Sequence, residues 1–273
     1  MQNPLSFRAL LMRAIRELKL DGFRDLASLD GWLRRLRYAA AADLPTQEQI
    51  DTQIQSAMRQ ALRRAVSPTA VRMRHPGIAL STVDRLKPRF QAELTQRIVV
   101  SASLIKLNRE QMIERMLSRF SGWATSIPAG GSKAGNDSDI IKPIAEPIRQ
   151  ARYEVRRVQI DQGHKLIASI NAVIAEQSNA IAAMWRSHGK HDKSYDARPE
   201  HLARDGRFWA IRGNWAIAAG LMNKGEGYAD EIDEPAVAIN CRCWWLYVRH
   251  LRDLPESMLT AKGRFAEEEK RVA

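Results

Sequence analysis

Asn240-Cys241-Arg242-Cys243-Trp244-Trp245-Leu246-Tyr247-Val248 joins the only two cysteines of a 273-residue chain to a run of aromatic and branched side chains. Trp244 to Val248 has the length and composition of a β-strand. Two similar runs lie upstream, Ile181 to Trp185 and Phe208 to Ile211, separated by polar and glycine-bearing segments. Three short runs of this kind predict a small antiparallel sheet, and residues 176–250 read as an α+β unit. Alternation along a strand sends Trp244 and Trp245 to opposite faces, one toward the core and one outward. An outward tryptophan is a natural anchor for another protein, so Trp244 and Trp245 are the candidate protein-interface residues.

Histidines and carboxylates cluster upstream of the cysteines: Trp185-Arg186-Ser187-His188, then Arg198-Pro199-Glu200-His201, then Asp205-Gly206. Zinc takes four tetrahedral ligands from thiolate and imidazole. Cys241, Cys243 and His201 supply three, with Asp196, His188 or His191 as the candidate fourth. The Cys-x-Cys spacing is tighter than that of zinc fingers. The same two cysteines also read as small apolar residues packing inward at the start of a strand. A disulfide between positions i and i+2 is strained. Asp205-Gly206 reads as a turn before a strand, with Gly206 at positive φ. His201 and Asp205, four apart, could form an acid–base pair, but no nucleophile or oxyanion donor accompanies them. No phosphate-cradling glycine loop is present, which argues against nucleotide hydrolysis. No catalytic residues are assigned, and the chain is not expected to be an enzyme.

The rest of the chain is patterned for helices. From Leu5 to about Ala42 apolar residues recur at helical spacing, broken at Asp21-Gly22. Thr46 and Gln49 are placed as a capping box for the next helix, whose apolar row is Ile50, Ile54, Met58 and Leu62. His75-Pro76-Gly77 reads as a turn. Ser81 and Asp84 read as the cap of a helix with Leu86, Phe90, Leu94 and Ile98 inside, starting or bending at Pro88. Asn108 and Gln111 read as a further start. The fold class is mainly α: an N-terminal helical region, a long central helix and a few-stranded antiparallel sheet. The expected divisions are a basic helical region at 1–127, a flexible loop at 128–142, a domain of long helix plus small α+β unit at 143–250, and an exposed helical tail at 251–273. No apolar run approaches the length of a membrane span. The start of the chain lacks the apolar stretch of a signal peptide, so it reads as a protein made and kept in the cytoplasm.

The net charge of +12 resides in the first 190 residues, and the remainder is close to neutral. Residues 51–100 alone carry Arg59, Arg63, Arg64, Arg72, Arg74, Arg85, Lys87, Arg89 and Arg97 against Asp51, Asp84 and Glu93. Excess arginine attracts polyanions through counterion release. Arg59, Arg63, Arg64, Arg72, Arg74, Arg85, Arg89 and Arg97 are therefore the candidate nucleic-acid contacts. The same residues also suit the solvated faces of helices.

The ordered series Arg156-Arg157-Val158-Gln159-Ile160-Asp161-Gln162 with Lys165-Leu166 and Asn171, then Trp185-Arg186-Ser187, Arg198-Pro199-Glu200-His201, Asp205-Gly206 and Asn240-Cys241-Arg242-Cys243, resembles the Mu F-like (SPP1-type) phage head morphogenesis family. The match covers about residues 150–250. Gly189 to Tyr195 looks like an insertion relative to that pattern. The resemblance implies a minor head protein of a tailed bacteriophage, present in several copies at the portal vertex or capsid interior. It further implies contacts with portal or major capsid protein and with packaged double-stranded DNA, and a part in head assembly and in DNA packaging or ejection. The virion, after assembly in the host cytoplasm, is its implied location. The competing expectation is a metal-dependent nuclease or toxin-like hydrolase built on His201, Cys241 and Cys243.

Overall fold

A computed structural model describes residues 6–133, 135–188 and 198–272. The chain forms two compact units, interleaved in sequence. The first takes the chain up to Ile54 and again Val100–Val158; the second takes Gln55–Val99 and everything from Gln159 onward. This differs from a linear division at 127/128, because three helices run across the crossover points.

The first unit opens with α1 (Phe7–Asp21) and α2 (Leu26–Asp43), broken at Asp21-Gly22 as the sequence indicates. Gly22 sits at φ 75°, and a Cβ there would collide with the carbonyl of Pro128 and the amide of Gly130. α3 (Gln47–Ala65) begins on the expected capping box: the Gln49 side chain accepts the Thr46 N–H at 2.9 Å and the Thr46 hydroxyl accepts the Gln49 N–H at 3.2 Å. α4 (Pro68–Arg74) and α5 (Leu80–Arg85), both in the second unit, are short. Ala79, with no side-chain cap bond, precedes α5, so Ser81 and Asp84 do not cap it.

α6 (Lys87–Thr125) is one continuous helix of 39 residues. Asn108 and Gln111 lie inside it and start nothing. A buried row of Met112, Ile113, Met116, Leu117 and Phe120 supports the helix through that point and joins the core with Leu11, Ile15, Trp32 and Leu36. That packing outweighs the weak local preference of Asn for a cap.

The segment expected as a flexible loop at 128–142 is held to the end of α1. The Ser132 N–H donates to the Lys19 carbonyl at 2.9 Å, and the Lys19 ammonium reaches the Gly135 carbonyl at 2.8 Å and Asp137 at 2.9 Å. Its second part is already helical, as α7 (Asp137–Arg149). The single helix expected from Pro143 is thus two, α7 and α8 (Ala151–Gln177), with Pro143 and Pro147 inside α7. Ile141, Ile144 and Ala145 bury against the first core, which keeps the proline-bearing segment helical.

The second unit carries the sheet. β1 (Ala182–Arg186), β2 (Phe208–Ala210) and β3 (Trp244–Val248) fall where the apolar runs predict them and pair antiparallel in the order β2-β1-β3. Between them lie α9 (Pro199–Ala203) and α10 (Trp215–Ala218). One sheet face carries Ala183, Trp185, Trp209, Trp245 and Tyr247; the other packs Ala182, Ala210 and Val248 beneath Met222, Leu251, Leu254 and Met258. The tail is therefore exposed only in part. Residues 251–259 close the second face of the sheet through 3₁₀ turns, because Leu251, Leu254, Met258 and Leu259 need cover from water. The last helix, α11 (Ala261–Val272), leaves Phe265 exposed. Among the described residues, no helix is long and apolar enough to cross a membrane.

Candidate metal centre

His201, Cys241 and Cys243 meet beneath the tryptophan face of the sheet, all buried. The His201 Nδ1 lies 3.5 Å from Cys241 Sγ and 3.6 Å from Cys243 Sγ. With Zn–S near 2.3 Å and Zn–N near 2.0 Å at a tetrahedral angle, ligand nitrogen and sulfur should stand about 3.6 Å apart. Two thiols and one imidazole at that spacing form a soft donor set that fits zinc. When bound, zinc here would supply cohesion between the loop before β3 and helix α9.

Each donor is placed by identifiable contacts. Pro199 at the first turn starts α9, which presents His201. Its imidazole packs edge-on against Trp185 with ring centroids 5.2 Å apart, and Trp185 meets Trp245 at 5.2 Å, its direct cross-strand partner. Asp205-Gly206 turns the chain back as expected: Gly206, at φ 78°, donates its N–H to the Trp185 carbonyl at 2.9 Å, and Asp205 accepts the Ser187 N–H at 2.8 Å. The cysteine loop is held from α8. The Asp161 carboxylate, paired with Lys165 at 2.9 Å, accepts the Asn240 N–H at 2.8 Å, and the His164 ring lies 3.2 Å from the Cys241 carbonyl through Nδ1. Asn240 takes the left-handed conformation at φ 60°, which asparagine tolerates better than most residues.

The two sulfurs share one favoured thiolate. The Cys243 thiol, together with backbone N–H groups of Ala236 and Cys243, stabilises a negative Cys241 sulfur and lowers its pKa. Cys243 is pushed the other way, by the negative Cys241 beside it and by burial. A cation in the cluster would relieve that opposition and favour both thiolates.

The described residues bring together three of the expected ligands. Asp196 and His191 lie outside the described residues. His188 is exposed and is not part of the cluster, although its backbone N–H points to Cys243. Of the two tryptophans expected at an interface, Trp245 is a core residue at 8% exposure and is withdrawn from that role; its place in β3 opposite Trp185 turns it inward. Trp244 is half-buried beneath the Arg74 guanidinium, 5.5 Å from the ring centre.

The arginines divide. Arg59, Arg63, Arg64, Arg72 and Arg85 are exposed. Arg89 is paired with Glu176 at 2.8 Å, and Arg97 donates to Gln162 at 3.1 Å. Arg74 is turned onto Trp244, so it is less available than its neighbours.

One functional-looking residue escapes the sequence. His75, read there as part of a turn, is fully buried and stacked on Tyr247 at 5.0 Å. Its Nε2 is 2.9 Å from the Asn171 oxygen, and its Nδ1 is 2.8 Å from the Arg249 guanidinium. Arginine can only donate, so Nδ1 accepts and the proton sits on Nε2. Burial, then the Arg249 charge, push the His75 pKa down to about 3.

No family model, curated protein or solved structure matches this chain.

Proposed function

We propose that this chain is an architectural minor head protein of a tailed bacteriophage. In this reading His201, Cys241 and Cys243 hold a structural zinc, and the exposed arginines of α3 and α4 meet packaged double-stranded DNA. The observation that carries the reading is the burial of all three donors under the Trp185–Trp209–Trp245 layer. A catalytic zinc keeps a position open to water, whereas a structural one is enclosed by protein. The residues that carry the resemblance support the same view by what they do: Asp161 holds Asn240, Asn171 holds His75, and Asp205 holds Ser187. They position backbone and rings. In the particle the chain sits in several copies at the portal vertex or capsid interior and contacts portal or capsid protein.

Mass spectrometry and labelled-antibody microscopy of purified virions test this role. The chain should be found in the head, and its absence from purified particles would overturn the assignment. A second reading, a metal-dependent nuclease, draws on one observation: Cys243 also lines a cavity of about 520 Å³. DNA incubated with the protein, with and without chelator, separates the two. Chelator-sensitive cleavage would favour the nuclease.

A further inference from the structure

The cavity of about 520 Å³ in the second unit is bounded by the end of α4, the middle of α8 and the start of β3. Its size is that of a small-molecule site. Ile167, Ala168 and Trp244 give it apolar walls.

Arg74 and Arg242 both line it, and Arg74 is the one whose guanidinium is held against the apolar wall. Its Nε is fully buried with no hydrogen-bond partner, and among the described residues it makes no ion pair. Its guanidinium faces the ring of Trp244, 5.5 Å from the ring centre. Burial alone disfavours its charged form. A half-buried guanidinium without a carboxylate is costly to the free protein and is relieved by an anion brought from outside. Two polar residues of the wall, Asn171 and His164, are already engaged. Asn171 accepts from His75 and donates to the Ile167 carbonyl at 2.6 Å; in its neutral form His164 donates through Nδ1 to the Cys241 carbonyl. Glu234, in the same wall, opposes a doubly charged ligand more than a singly charged one.

We propose that this cavity binds an organic monoanion, a single carboxylate on an apolar body, with the carboxylate on Arg74 and the body against Ile167, Ala168 and Trp244. The carboxylate comes either from a free small acid or from the C-terminus of a polypeptide. The proposal stands whether or not His201, Cys241 and Cys243 hold a metal.

Calorimetric titration of the full-length protein with N-acetyl-leucine, N-acetyl-leucinamide and inorganic phosphate tests it. N-acetyl-leucine should bind at least about tenfold more tightly than its amide, the worth of one charge-assisted hydrogen bond. Arg74→Gln should lose that preference, with Arg74→Lys retaining part of it. Ala168→Phe, which fills the cavity and spares Arg74, should abolish binding if the body sits there. Thermal melts of each variant confirm folding. Equal binding of acid and amide, tighter binding of phosphate, or no binding of the acid at millimolar concentration would overturn the proposal. A pentapeptide ending in leucine with a free carboxylate identifies the source. Tighter binding than N-acetyl-leucine assigns a polypeptide C-terminus, and equal or weaker binding assigns a free acid.

Discussion

The Asp161 carboxylate accepts the backbone N–H of Asn240 at 2.8 Å, across 79 residues of sequence. That bond fixes the loop one residue before Cys241, while Lys165 pairs with the same carboxylate from the next turn of α8. Asp161→Asn weakens a charge-assisted bond to a part-buried amide, which should cost about 1.5–3 kcal/mol. Urea unfolding measures this. An unchanged midpoint would mean that the loop is held by the cluster and the His164 contact without it.

Zinc should stabilise the protein at one equivalent per chain. Free zinc about 100-fold above its Kd contributes about 2.7 kcal/mol. Melting with and without chelator reads the difference, and Cys241→Ser should abolish it. Identical wild-type curves under both conditions would leave the cluster as packed thiols and imidazole.

Acid should destabilise the fold through His75. Its folded pKa, about 3, lies below the ordinary value of 6.5, so the unfolded chain binds more protons between those limits. Stability is therefore complete above pH 6.5 and falls as pH drops toward 3, by up to about 1.4 kcal/mol per pH unit. Chelator in every sample removes any contribution from metal release. His75→Gln should flatten the profile, and an equal slope in that variant would assign the acid sensitivity elsewhere.

DNA retention should depend on the exposed arginines of α3. Replacing Arg59, Arg63 and Arg64 by glutamine should make the logarithmic salt dependence shallower by roughly 0.9 for each phosphate contact removed. Filter binding over a salt series measures the slope. If it stays the same, these arginines only solvate a helix face.

Gly22→Ala should destabilise the first unit by at least about 1 kcal/mol. It forces a side chain into positive φ and against the Pro128 carbonyl. Chemical denaturation compares it with Gly31→Ala, where a Cβ meets nothing within 4 Å.

Much of this architecture is legible from local chemistry. Aromatic runs locate all three strands, Gly22 the first break, and Thr46 with Gln49 the start of α3, because each signal acts within a few residues. The convergence of His201 with Cys241 and Cys243 follows from ligand type, which selects partners irrespective of spacing. What stays hidden depends on distant partners. His75 looks like turn punctuation until Asn171 and Arg249, 96 and 174 residues away, are seen against it. Asn108 resembles a helix start because its sequence context cannot report the buried row that carries α6 past it. Trp244 and Trp245 are interchangeable on paper; only the register with Trp185 decides which one turns inward.

The interleaving of the two units bears on how the molecule is made. Neither core has its full set of segments until distant stretches have been synthesised: the first waits for 100–158, the second for the stretch from 159 onward. A nascent chain that ends before residue 100 carries helices whose apolar rows have no completed interior to enter. Excising a stand-alone fragment by cutting anywhere between residues 55 and 158 should therefore yield two sticky halves, and co-expression of those halves, joining during synthesis, is the practical route to splitting this protein.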